Sequence, residues 1–317
     1  MTRVTHRTIQ ESTLANLQRN LTSMSSLQEQ LSTGRRINRP SDDPTGTVSA
    51  LQVRAELRTT AQHARSADDG LGWLNSTDAA LQTTSTRLIK AKALTLQAAN
   101  TGSMSGTARE AIAIEITGIR DDLLAQANTR YNGRSIFAGT SDERYAAYAQ
   151  DVPDDSATPG VDESRTAYTF SDTGAGVGGT VERQVASNTT VRVDSDGRAI
   201  FGEGAQSVFQ LLTDIAEAIK APVVDDSALA ALMVKLDERM VKVSAAQASV
   251  GARTVLIENA KQAAVDRELN LKGTLSDVES IDLPKTIVNL QTQEVAYKAA
   301  LGATAKVLQP SLLDFLR

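Results

Sequence analysis

Near the N-terminus the apolar residues fall at Leu14, Leu17, Leu21, Met24 and Leu31, alternating three- and four-residue steps, with Gln28 alone interrupting. Such spacing puts one stripe on one helix face, and kept up over several heptads it marks a coiled-coil seam. The neighbours Gln18, Arg19, Asn20 and Gln30 are polar. The C-terminal end repeats the rhythm at Ile287, Leu290, Tyr297, Leu301, Leu308 and Phe315, with Glu294, Thr304 and Ser311 in the remaining seam positions and Leu312 beside Leu308. A helix with one apolar stripe is marginal alone in water. The pattern therefore predicts two terminal helices that bury their stripes against each other and against neighbouring copies. Ordinary amphipathic helices on a globular core would carry similar stripes. Placement favours pairing, because both stripes run almost to the chain ends, where fraying is usual.

Further helices are expected between them. Gly34 is a stop signal for the first, and Ser41-Asp42-Asp43-Pro44 reads as a start, with Asp43 near the N-cap and Pro44 in the first turn. Leu74, Leu81 and Leu88 mark one stripe, and Ile112, Ile116, Ile119 and Leu123 another. Asn132-Gly133 signals a turn. From about Ser141 to Ala205 the chain turns rich in Gly, Asp, Thr and Val. Strand-like runs lie at Ala167–Phe170, Thr180–Ala186, Thr189–Val193 and Arg198–Phe201, with Asp194-Ser195-Asp196-Gly197 as a hairpin connection between the last two. Helical pattern resumes at Phe209 and continues through Val265 and Leu275. The fold class is thus mainly α, a long-helix coiled coil or bundle formed by both termini, with a small β-rich insertion. Five segments follow: 1–43, 44–140, 141–208, 209–281 and 282–317.

Composition narrows the chemistry. The chain has 317 residues, aromatics at 3% and one tryptophan, Trp73, so its core is expected to rest on alanine and leucine in closely packed helices. It has no cysteine, which excludes disulfides and thiolate metal sites. The net charge of −5, without a basic run, gives no nucleic-acid footprint; the tightest basic cluster, Arg35, Arg36 and Arg39, reads as a solvated loop. Residues Met1 to Gln10 hold no secretory signal and no segment has the apolar length of a membrane span, so export would need a route without a cleaved signal.

Apparent motifs fail on context. Gly174, Gly176 and Gly179 have dinucleotide-fingerprint spacing but lead into a strand rather than a helix. Asp194-Ser195-Asp196-Gly197 has its glycine too early for a calcium loop. Asp42-Asp43 and Asp68-Asp69 read as caps, since adjacent helical residues cannot flank one substrate. His6 and His63 lie far apart without ligand partners. Asn75-Ser76-Thr77 and Asn188-Thr189-Thr190 fit the glycosylation triplet, as chance often supplies. No catalytic constellation or cofactor site is expected.

The stretches that remain resemble a family. Leu31-Ser32-Thr33-Gly34-Arg35-Arg36-Ile37-Asn38 followed by Pro40-Ser41-Asp42-Asp43-Pro44 is similar to the N-terminal signature of bacterial flagellins and their hook-associated relatives. Gln97-Ala98-Ala99-Asn100, the run Ala127 to Gly139 and the tail from Ala296 to Leu316 strengthen the match, the phrase Ile136-Phe137-Ala138-Gly139 and the tail pointing to the hook-associated branch. The resemblance covers about residues 1–140 and 209–317. It implies terminal helices in an inner tubular layer, a second helical layer, and an insertion that projects outward; a short linker in place of Thr158–Gly202 is accordingly expected to leave the helical layers able to form. It further implies a structural role at the hook–filament junction or, alternatively, in the filament itself. The implied partners are hook-associated protein 1, flagellin, copies of the chain in a ring and a cytosolic export chaperone, with type III export to the extracellular flagellum.

Overall fold

The protein is described from a computed structural model, which covers residues 6–100, 105–140, 148–151, 167–170, 179–221 and 225–307. Its helices are α1 (His6–Thr33), α2 (Pro44–Asn100), α3 (Gly106–Ala127), α4 (Gly197–Phe201), α5 (Val208–Lys220), α6 (Asp226–Glu279) and α7 (Leu283–Val307). Local signals set several boundaries. Gly34, at φ +69°, closes α1 by donating its N–H to the Gln30 carbonyl at 2.8 Å, in a conformation that glycine adopts without penalty. Asp43 caps α2, its Oδ1 accepting from the Gly46 N–H at 2.9 Å, and Pro44 takes the first position, where no donor is needed. Asn132 and Gly133 both have positive φ, as the tight turn between β1 (Arg130–Tyr131) and β2 (Arg134–Ser135) requires.

The chain divides into two compact units. In the unit Ala61–Val265, Ala67, Leu74, Leu81 and Leu88 of α2 form a buried row at seven-residue intervals, and α6 supplies another of Leu229, Leu236, Val243, Val250 and Ile257. Both rows belong to one core, joined by Ile112, Ile116, Ile119 and Leu123 of α3 and by α5. Ion pairs Lys92–Asp237 and Lys261–Asp68, each 2.6 Å, show α2 and α6 running antiparallel. Threonine enters this core at little cost, because Thr77, Thr84 and Thr95 return their hydroxyls to the carbonyls of Trp73, Ala80 and Ala91 at 2.8–3.0 Å.

Among the described residues, the middle segment holds two strand pairs, β3 (Tyr148–Asp151) with β4 (Ala167–Phe170) and β5 (Glu182–Ala186) with β6 (Thr189–Arg192). Scarce aromatics gather here. Phe137, Tyr148, Phe201 and Phe209 meet with ring centroids 5.1–5.9 Å apart, mostly edge to face. Burial pushes the Tyr148 hydroxyl up from the ordinary tyrosine value, and it donates to the Gly202 carbonyl at 3.0 Å.

Three expectations are corrected here. Arg198–Phe201 is helical, not a strand, because Asp196 Oδ1 accepts from the Arg198 and Ala199 N–H groups and starts α4. Asp194 is no turn residue; it is buried, its carboxylate holding the Val181 N–H at 2.8 Å and the Arg192 guanidinium at 2.8 and 3.0 Å. Asp68 and Asp69 sit inside α2, paired to Lys261 and Arg183, and cap nothing. Of the fingerprint-like glycines, only Gly179 lies among the described residues.

Candidate assembly interface

The other unit comprises Met1–Thr60 and Asp266–Arg317, and α1 packs along α7 within it. Along α1 a row of side chains withdraws from solvent, Thr13, Leu17, Asn20, Met24, Leu27 and Leu31, in steps of four and three, joined near the helix end by Glu29 and Gln30. On α7 the matching row is Thr286, Leu290, Gln293, Tyr297, Ala300 and Thr304. Both rows have the heptad period, so a single face of each helix stays in register along the pair.

The sequence-derived seam residues separate into two sets. Leu17, Met24, Leu31, Leu290 and Tyr297 lie on the shared face and are half-buried. Leu14, Leu21, Ile287 and Leu301 do not; they remain 43–59% exposed. At 100° per residue these four sit roughly a quarter turn from the seam, on the flank of each helix. Val288 and Val295 lie exposed on the face of α7 turned from α1. Leu308, Leu312 and Phe315 fall outside the described residues. Two contributors missed in the sequence are polar: Gln293 Nε2 donates to Asn20 Oδ1 at 3.2 Å in the middle of the seam. A third, Leu27, lies on the far edge of the stripe from Leu14 and Leu21.

Both terminal helices leave their long neighbours at one joint. The loop after Gly34 lies against the break between α6 and α7. The Arg36 N–H donates to the Glu279 carbonyl at 2.6 Å and its guanidinium to the Val278 carbonyl at 2.9 Å, while the Ile281 N–H donates to the Gly34 carbonyl at 3.3 Å. Arg35 and Ser280 form an antiparallel bridge. Glu279 is buried and grips Arg54 through both carboxylate oxygens at 2.8 and 2.9 Å. Asp42 Oδ2 accepts from the N–H groups of Asn38 and Arg39, and Asp282 starts α7 by accepting from the Lys285 N–H at 3.1 Å. The arginine cluster is exposed, but Arg36 fastens the joint.

The arrangement offers apolar rows and hydrogen bonds rather than reactive groups. Among the described residues no cluster of three His, Cys, Asp or Glu is placed to hold a metal ion, and no helix is long and apolar enough to cross a membrane.

Comparison with known proteins accords with this geometry. The family described as the bacterial flagellin N-terminal helical region matches residues 4–142. The flagellar hook-associated protein 3 of Escherichia coli K12 is 28% identical over 294 residues, 87% of each chain. The flagellar filament 41 kDa core protein of Borreliella burgdorferi is 23% identical over 312 residues, 92% of each chain. Among solved structures, flagellar hook associated protein-3 from Legionella pneumophila superposes with a TM-score of 0.60 at 13% identity, covering 72% of this chain and 98% of that one, a likeness of fold.

Proposed function

We propose that this chain, a flagellar structural protein related to hook-associated protein 3 and carrying the flagellin-type N-terminal helical region, is the adaptor joining hook-associated protein 1 to the flagellin filament. The observation that carries this reading is a 28% identity spread over 87% of both chains with a protein of the hook-associated class. In this reading the chain is not an enzyme. It works as a ring of copies, bound to hook-associated protein 1 on one side and flagellin on the other. It reaches the flagellum unfolded through type III export, held beforehand by a cytosolic chaperone. The five segments 1–43, 44–140, 141–208, 209–281 and 282–317 then serve as inner helix, outer helices, insertion, outer helices and inner helix.

The physical support is the incomplete burial of the terminal pair. Leu14, Leu21, Ile287 and Leu301 leave apolar flanks open beside a half-buried seam, and a helix pair with such flanks gains stability from further helices laid against them. A junction must also polymerise poorly with itself along the axis, since specificity is a difference of affinities. The full-length similarity to a filament core protein favours a second reading, the filament subunit. Removal of the protein from its cell distinguishes the two: the junction reading expects hooks, flagellin released into the medium and no swimming. Long ordered homopolymers from the purified chain, with filament seeds absent, would establish the filament reading instead.

A further inference from the structure

In the unit Ala61–Val265, a cavity of about 230 Å³ opens between α6 and the segment around α4. Three of its lining residues are cations, Arg192, Lys242 and Arg253. Arg192 is neutralised by Asp194, whereas Arg253 and Lys242 form no ion pair among the described residues. The buried Asp194 carboxylate is taken by Arg192, whose Nε and Nη2 donate to its two oxygens, and by the Val181 N–H. Among the described residues, the hydrogen bond of Arg253 goes to the Asp194 backbone carbonyl, at 2.9 Å. Burial first, and then the Arg192 charge, hold Arg253 below the ordinary arginine value. Asp196, the acid in the lining, has its Oδ1 engaged at the start of α4. Ser195 and Ser249 add hydroxyls, and Ala199, Ala245 and Ala246 leave room for a short carbon skeleton.

We propose that this cavity binds a carboxylate group carried by a molecule outside the chain. A planar carboxylate can accept two parallel N–H groups from one guanidinium, and here it would meet a half-buried arginine to which no carboxylate is hydrogen-bonded among the described residues. The same chemistry can come from a free small dicarboxylic acid or from a glutamate or aspartate of another polypeptide. The cavity plays no part in the junction reading and stands or falls apart from it.

Calorimetric titration of the full chain with glutarate, and separately with a short glutamate-rich peptide, tests the proposal at low ionic strength. Binding is expected to weaken about tenfold in Lys242→Gln and in Arg253→Gln, the usual scale for one charge-assisted hydrogen bond. Lys235→Gln, which removes an exposed charge outside the lining, leaves it unchanged. Binding of the peptide alone assigns the site to a protein partner, and binding of glutarate alone to a free acid. Arg253→Gln also removes the bond to Asp194, so if circular dichroism shows it unfolded, Lys242→Gln decides. Absence of binding to the unaltered chain by either probe, or binding that Lys242→Gln leaves intact, overturns the proposal.

Discussion

A leucine on α7 has one of two roles, according to which side of the helix it occupies. Leu290 is half-buried on the α1 face, whereas Leu301 is 43% exposed on the flank. A carboxylate at position 290 must therefore be partly desolvated on the α1 face, and Leu290→Asp should destabilise the terminal pair by about 2 kcal/mol. Leu301→Asp should alter the folded chain by less than about 0.5 kcal/mol, as exposed substitutions do, while still abolishing swimming if the flank binds a neighbour. Thermal unfolding of both purified variants, set beside motility of both strains, checks the pair. Equal motility of the Leu301→Asp strain and its parent would remove the flank from the assembly surface. Glu279 shows the other use of a single residue: its buried carboxylate is neutralised by Arg54 Nη2, which meets both oxygens, and its carbonyl carries the Arg36 N–H, so one side chain and its own backbone join three segments.

Helix pairs inside the two units differ in what holds them. The rows of α2 and α6 in the unit Ala61–Val265 are almost fully buried and almost wholly apolar apart from self-satisfied threonines. The α1–α7 seam is half-buried, and its central layer is the amide pair Asn20–Gln293. A polar layer in such a seam lowers stability but penalises slipped registers, because a shift by one heptad parts the two amides and breaks their hydrogen bond. The double variant Asn20→Leu with Gln293→Leu should therefore strengthen the pair, by roughly 1 kcal/mol, and yet lose its single register. Cysteine crosslinking across the seam reads this directly, since the parent chain contains no cysteine. One dominant crosslink in the parent and several in the variant are expected. A single crosslink in both would show that register is set elsewhere, the joint at Arg36 and Glu279 being the next candidate.

For the whole molecule the insertion matters more than its variable look implies. The sequence reading expects a linker in place of Thr158–Gly202 to leave the helical layers able to form. That stretch, however, contributes Val181, Val185, Val191, Val193, Ile200 and Phe201 to the same buried core as α2, α3, α5 and α6. At roughly 1.5–3 kcal/mol per buried side chain, their loss rivals the entire stability of a domain, about 5–15 kcal/mol. The deletion is accordingly expected to unfold the unit Ala61–Val265, seen as loss of cooperative melting, with motility lost as well. A deletion variant that melts like the parent would return the insertion to the status of an appendage. The positions of the terminal helices and of α2 and α3, the Gly34 and Pro44 boundaries, the Asn132-Gly133 turn and the apolar rows of α2 and α3 were legible in the sequence, because each depends on residues within a few positions of one another. Three features were not. The terminal stripes are wide enough to serve two faces, and only the packing of α1 on α7 decided that Leu17, Leu27 and Leu290 turn inward while Leu14, Leu21 and Leu301 stay open. Arg198–Phe201 has strand-like composition, but the cap from Asp196 made it helical. Asp194 looked like a turn residue until Val181, on the partner strand side of the hairpin, and the nearby Arg192 enclosed it. Period and capping are local and are written in the chain, whereas the face a stripe uses and the partner a charge finds depend on segments far apart in sequence, which only the folded structure brings together.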